Sequence, residues 1–303
     1  MEAQCVRPLF GRDRKRDAFV SVHTAYNSTH MFLISLLVIV PTAYVLSGRD
    51  LPLVVTDLMN TYFPGDNAPG KDLVAWATLA GAAIGATPIH KVVRYLATVV
   101  HELGHAFTAG VLGGRPKHIT ISTDTSGLAM YMPPVHWDRF RASIVSAAGY
   151  PAPAIASLAA IDAIQAGYAK AWFVFAGGTL AVAIVALIRN FWGVFWTAGA
   201  VGSSYYAARE LPTEILGAIA ATIAGFLAVE AIRHAFTQFS ISRFRGTHCD
   251  AEMISLFLKL PLRPVAFLHL LVTAAISGYA LQKGIEPHWD EMRSTFERWI
   301  RTR

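Results

Sequence analysis

The residues best suited to chemistry are His101, Glu102 and His105, in the run Val99-Val100-His101-Glu102-Leu103-Gly104-His105-Ala106. On a helix, residues four apart share a face, so both imidazoles can grip one divalent cation. Zinc held this way lowers the pKa of a coordinated water toward about 7. Glu102, beside the pair, can take that water's proton. The pattern implies metal-assisted hydrolysis, with one Zn2+ per chain and Glu102 as the base. Gly104 removes a side chain near the metal, which lets another helix or a substrate backbone approach.

Two histidines do not complete such a site, because catalytic zinc usually takes three protein ligands. Asp162, Glu230, His248, Asp250 and His269 are the candidates for the third. Asp250 is preferred. It lies in Gly246-Thr247-His248-Cys249-Asp250-Ala251, just before an apolar stretch. Four apolar runs separate it from the HExxH helix, and an even number of crossings returns the chain to the side where that helix ended. The alternative role for Asp250 is a helix N-cap. Asp162, inside an apolar run, is the second choice of ligand. His248 is read as a supporting partner and Cys249 as a small packed residue. His90 stands eleven residues before His101, roughly 16 Å along a helix, too far to be a ligand.

The elements that must position these residues are mostly apolar helices. Apolar runs cover residues 31–48, 73–89, 95–113, 144–164, 171–188, 191–208, 215–232 and 265–281. Each approaches the roughly 20 helical residues that cross a hydrocarbon core about 30 Å thick. After the HExxH run the pattern changes. Residues 117–122 alternate, with Ile119 and Ile121 on one face; Asp124-Thr125-Ser126-Gly127 forms a turn; residues 128–132 make a second short strand. This β-hairpin is either an edge that holds an extended substrate by strand addition or a capping loop. Gly149, Pro151 and Pro153 break a helix, as a kink or as the lining of a water-filled cavity. Arg189 and Asn190 read as a tight interfacial loop with a snorkelling arginine.

Composition agrees with a membrane protein. Of 303 residues 54% are hydrophobic and 15% charged, against about 25% charged in soluble domains. The net charge is +6, and the basic residues flank apolar runs: Arg12, Arg14, Lys15 and Arg16 at one end, Arg298, Arg301 and Arg303 at the other. That placement fits a lipid surface and no nucleic-acid groove. Cys5 and Cys249 make no disulfide framework. The first apolar run reads as a retained anchor.

The expected fold is an all-α polytopic membrane protein of about seven or eight apolar helices, with the small hairpin after the HExxH helix. Residues 1–30 form a basic polar segment and residues 31–283 the membrane domain. Residues 284–303 form an amphipathic interfacial helix carrying Trp289, Met292, Phe296, Trp299 and Ile300. Basic charge marks both the N-terminal segment and the loop 233–263 as cytoplasmic, which seven crossings between them contradict. One run therefore need not cross, and the HExxH run is a candidate for a re-entrant one.

His101-Glu102-Leu103-Gly104-His105, followed by Gly113-Gly114-Arg115 and Ser126-Gly127, resembles the site-2 protease family of intramembrane zinc metalloproteases, specifically its bacterial M50B-like branch. Gly149-Tyr150-Pro151-Ala152-Pro153, Arg189-Asn190-Phe191-Trp192-Gly193 and Cys249-Asp250-Ala251 match further elements of that branch, over residues 73–272. The chain has no Leu-Asp-Gly motif, and Cys249 stands where the branch usually has serine. The resemblance implies a multi-pass protein of the plasma or inner membrane that cleaves a transmembrane substrate near the bilayer surface. Its rivals are a catalytically silent family member that binds another membrane protein, and an ion- or proton-conducting protein. The intact Glu102 argues against the silent reading, since binding alone needs no base.

Overall fold

The computed structural model describes residues 69–134, 138–244, 246–247 and 249–286. The apolar run 31–48, the basic segment before it, His248 and nearly all of the interfacial tail lie outside these residues. Helices α1 (Lys71–Ala86) and α2 (His90–Val111) are followed by strands β1 (Arg115–Ile121) and β2 (Gly127–Met132). Then come α3 (Arg139–Ala147), α4 (Pro151–Gln165), α5 (Ala169–Ala186), α6 (Phe191–Glu210), α7 (Thr213–Ile241), α8 (Asp250–Leu258) and α9 (Leu262–Ile285).

Among the described residues the chain is thus mostly helical with one small antiparallel sheet, as expected. Among the described residues α5, α7 and α9 are long and apolar enough to cross a membrane. The pair α3–α4, bent by 53°, supplies a fourth if taken as one span. The sequence reads residues 144–164 as a single run. The structure breaks it at Ala148-Gly149-Tyr150, with Pro151 at the first position of α4. Proline suits that position because the amide it lacks would have had no helical partner.

Small residues set the helix packing. In lipid the helices gain little from burying apolar surface, so close van der Waals approach must hold them together. Gly81 and Gly85 of α1, four residues apart, face α7. A Cβ on Gly81 would overlap the Thr222 carbonyl, and one on Gly225 of α7 would overlap the Thr78 carbonyl. Ser157 of α4 donates to the Ala224 carbonyl of α7 at 2.8 Å. Lys283 of α9 pairs with Asp162 of α4. Helices α4, α7 and α9 thereby form a frame beside α2.

The hairpin lies along α2. Tyr95 donates from its hydroxyl to the Thr123 carbonyl at 2.7 Å, and Thr98 to the Thr125 carbonyl at 2.9 Å. The Ser126 hydroxyl and amide both donate to the Asp124 carboxylate and hold that carboxyl below the usual range. Thr125 takes the left-handed conformation at φ 68°. Beyond the turn, Thr120 pairs with Leu128 and Ile119 with Ala129.

The outer edge of β1 is closed. The Ile119 amide donates to the Leu187 carbonyl at 2.8 Å, and the Arg189 amide to the Ile119 carbonyl at 3.1 Å. The Asn190 side chain accepts from the Ile121 amide at 3.0 Å and donates to the Ile121 carbonyl at 2.6 Å. It thus replaces a paired residue of a third strand. Arg189 turns back onto the end of α5, donating to the carbonyls of Val185 and Ala186. Both residues of the expected loop are structural. Asn190→Ala would leave the amide and carbonyl of buried Ile121 unpaired, a loss of about 1–3 kcal/mol. A lower melting temperature is expected for the purified variant, with faster hydrogen exchange at Ile121. Unchanged melting and exchange would show that the clamp contributes nothing.

Candidate metal centre

Helix α2 delivers His101, Glu102 and His105 one turn apart, as the spacing requires. All three are largely or fully buried. Asp250 is the first residue of α8 and only 4% exposed. Its Oδ2 lies 3.4 Å from His101 Nε2 and 3.2 Å from His105 Nε2, and the two ring nitrogens are 3.1 Å apart. Ligands about 2.0–2.1 Å from a tetrahedral zinc stand about 3.3 Å from one another. The three atoms form a nearly equilateral triangle of that size.

Hydrogen bonding supports the fit. His105 Nδ1 is 2.8 Å from the Val145 carbonyl, which can only accept, so Nδ1 carries the ring hydrogen. In the neutral ring this leaves the lone pair on Nε2, which faces His101 and Asp250. This is the tautomer a metal ligand needs, set by a backbone group behind it. Two imidazole nitrogens and a carboxylate oxygen converging on one point match the donor set of a zinc site.

The bend between α3 and α4 makes room for this arrangement. A Cβ on Gly149 would run into both imidazole rings. Tyr150 stands edge-on to His101, with ring centroids 4.8 Å apart. Gly104 faces the same bend: a Cβ there would come within 2.6 Å of Ala152 Cβ and 2.9 Å of the Ala148 carbonyl oxygen. What Gly104 admits is therefore the broken helix. The break wraps the histidines and is no simple kink.

Asp250 is positioned by the turn before it. Cys249 is the N-cap, so Asp250 does not take the capping role that was its alternative. Glu252 accepts from the Gly246 amide at 2.7 Å and from the Thr247 hydroxyl at 3.3 Å. Gly246 itself sits at φ 82°, where glycine is favoured. The reading of the sequence passes over Glu252, although a glutamate three residues after an N-cap is a recognisable capping signal.

The other candidate ligands are engaged elsewhere. Asp162 pairs with Lys283. Glu230 lies 3.1 Å from His234 and 3.4 Å from Arg94. His269 bonds Gln238 at 3.1 Å. Among the described residues, His101, His105 and Asp250 are the one group whose donor atoms cluster closely enough to hold an ion.

Glu102 turns from the triad toward β2. Its carboxylate lies so close to Gly127 that a Cβ there would overlap it, and the Ala129 amide bonds to it. The geometry of the sheet explains that bond. Ile119 spends its own amide and carbonyl on the Leu187–Arg189 side, so Ile119 and Ala129 form a non-hydrogen-bonded pair. The Ala129 amide must then point away from β1. The outer edge of β2 therefore runs directly past Glu102.

A helical bundle that brings an HExxH helix, a distant aspartate and a strand edge to one buried point has the build of a peptidase. The chain belongs to the Peptidase M50B-like family, whose model matches residues 74–281, and so to the site-2 protease group. Peptidases of this M50 group are in general zinc metalloproteases. Comparisons with the curated proteins and with the solved structures gave no match.

Proposed function

We propose that this chain is a zinc-dependent intramembrane endopeptidase, with His101, His105 and Asp250 holding one zinc ion and Glu102 as the base. The 3.1–3.4 Å triangle of donor atoms carries this reading. Zinc bound there supplies a Lewis acid that polarises the scissile carbonyl and activates water. Glu102 takes a proton from the attacking water and passes it to the leaving amine. Its contact with the Ala129 amide holds the carboxylate at the strand edge, where the substrate backbone would pass. The substrate in this reading is a transmembrane protein segment cut near the membrane surface, in the plasma or inner membrane. Helix α6 serves as a further crossing. For α6, exposed Phe191, Trp192 and Phe195 near one end and Tyr205 and Tyr206 near the other support this, since aromatic side chains favour both membrane interfaces.

A helical substrate must be extended before its backbone can be cut, and strand addition does this. With the outer edge of β1 closed, β2 is the edge that would receive it. Leu128→Asp and Met130→Asp, which place charges at half-buried positions along β2, are expected to lower cleavage of a transmembrane peptide by at least about tenfold, with zinc content unchanged. A hairpin that merely caps the site would tolerate both, and cleavage at the parent rate would reject strand addition. The enzyme assignment is tested by zinc content and cleavage in the parent chain and in Glu102→Gln.

A further inference from the structure

His269 of α9 is a buried side chain, beside the His101–His105–Asp250 group, that the reaction above leaves unused. It is 7% exposed. Its Nδ1 lies 3.1 Å from Gln238 Oε1 on α7, and Gln238 is itself 1% exposed. An amide oxygen can only accept, so Nδ1 carries the hydrogen and Nε2 of the neutral ring presents a lone pair. That Nε2 is buried and has no hydrogen-bond partner.

The ring lies beside the site. Its centroid is 5.8 Å from that of Tyr150, whose ring in turn stands on His101. Asp250 and His105 are close enough to act on it electrostatically. Hydroxyls such as those of Thr78 and Thr222 bond their own backbone at Val74 and Ala218, and the unpaired hydroxyls of Thr273 and Ser277 on α9 have the same route by rotating toward the preceding turn. A ring nitrogen held by Gln238 has no such route, and a buried acceptor without a donor costs stability. The donor that a peptide substrate brings is its backbone N–H.

We propose that His269 is a second catalytic residue, whose Nε2 accepts a hydrogen bond from the N–H of the peptide bond being cut. Gln238 holds the ring so that the acceptor faces the substrate. An N–H held this way orients the nitrogen lone pair to receive the proton that Glu102 delivers. This role rests on the peptidase reading above.

The test uses the full chain in lipid nanodiscs. The probe is a quenched-fluorescent peptide with an apolar helix of about 20 residues and an Asn-Gly pair near one end. Binding is measured in the Glu102→Gln background and cleavage in the otherwise parental chain. His269→Leu fills the space without an acceptor, whereas His269→Gln keeps one. His269→Leu is expected to weaken probe binding about 5–10-fold and to lower kcat about 10–100-fold, with zinc content unchanged. His269→Gln is expected to restore most of the binding. Equal probe binding by the parent and His269→Leu, including none by either, would overturn the proposal. So would equal losses in the two variants, or loss of zinc from His269→Gln. If the parent binds the probe through His269 and never cuts it, the peptidase reading fails while the contact stands.

Discussion

Glu102→Gln is expected to lower peptide cleavage by about 10²–10⁴-fold while leaving zinc bound. The substitution is nearly isosteric. It keeps an oxygen to accept from the Ala129 amide and still fits against Gly127, so the packing of α2 on β2 survives. It removes the one feature a general base requires, a carboxylate able to take a proton and return it. Glu102 lies next to His101 on the helix but is not among the three clustered donor atoms, so metal affinity should change little. Measuring zinc by mass spectrometry alongside cleavage separates the two roles. A variant that retains zinc and cuts within a few-fold of the parent rate would remove Glu102 from the mechanism. A variant that loses zinc would make it a structural support of the site.

Asp250→Ala is expected to do the reverse, reducing zinc content from near one per chain to well below it. Its Oδ2 is one corner of a triangle whose other corners are neutral imidazoles, so the carboxylate is the only negative charge among the three donors. Replacing residues that merely support ligands typically costs about 10–100-fold in metal affinity. Loss of a ligand should exceed that. Zinc should also stop raising the melting temperature, because a ligand stabilises only the state that binds it. Asp162→Asn and Glu230→Gln are the controls. Their carboxylates are occupied by Lys283 and by the Arg94–His234 pair, so both variants should keep the metal. If Asp162→Asn loses zinc and Asp250→Ala retains it, the ligand assignment is wrong.

Much of the site is legible in residue types and their spacing. The positions of His101 and His105 leave no freedom once α2 is helical, because side chains four apart share a face. The hairpin after it follows from alternation and a turn-forming tetrapeptide. Counting crossings favours Asp250 over its four rivals. The structure brings its carboxylate to the histidines, although α2 and α6 are not among the helices apolar enough to count as spans.

Other features are not legible in this way, because they depend on contacts distant in sequence. Nothing local marks Asn190 as a substitute strand for Ile121, 69 residues away. The same holds for Val145, whose carbonyl sets the tautomer of His105 across 40 residues. The Gly149 break reads equally well as a kink, since only the facing imidazoles show why a Cβ is excluded there. Which hairpin edge is free depends on the loop Leu187–Asn190 folding over β1.

The sequence by itself determined the chemistry on offer: two imidazoles and a carboxylate on one helical turn, in a chain too apolar for water. Those properties depend on residue type and helical period alone. Tertiary structure decided which distant carboxylate completes the triangle, which strand edge passes Glu102, and which rivals are neutralised elsewhere. These are matters of distance between segments, and helical or strand periodicity carries no record of them.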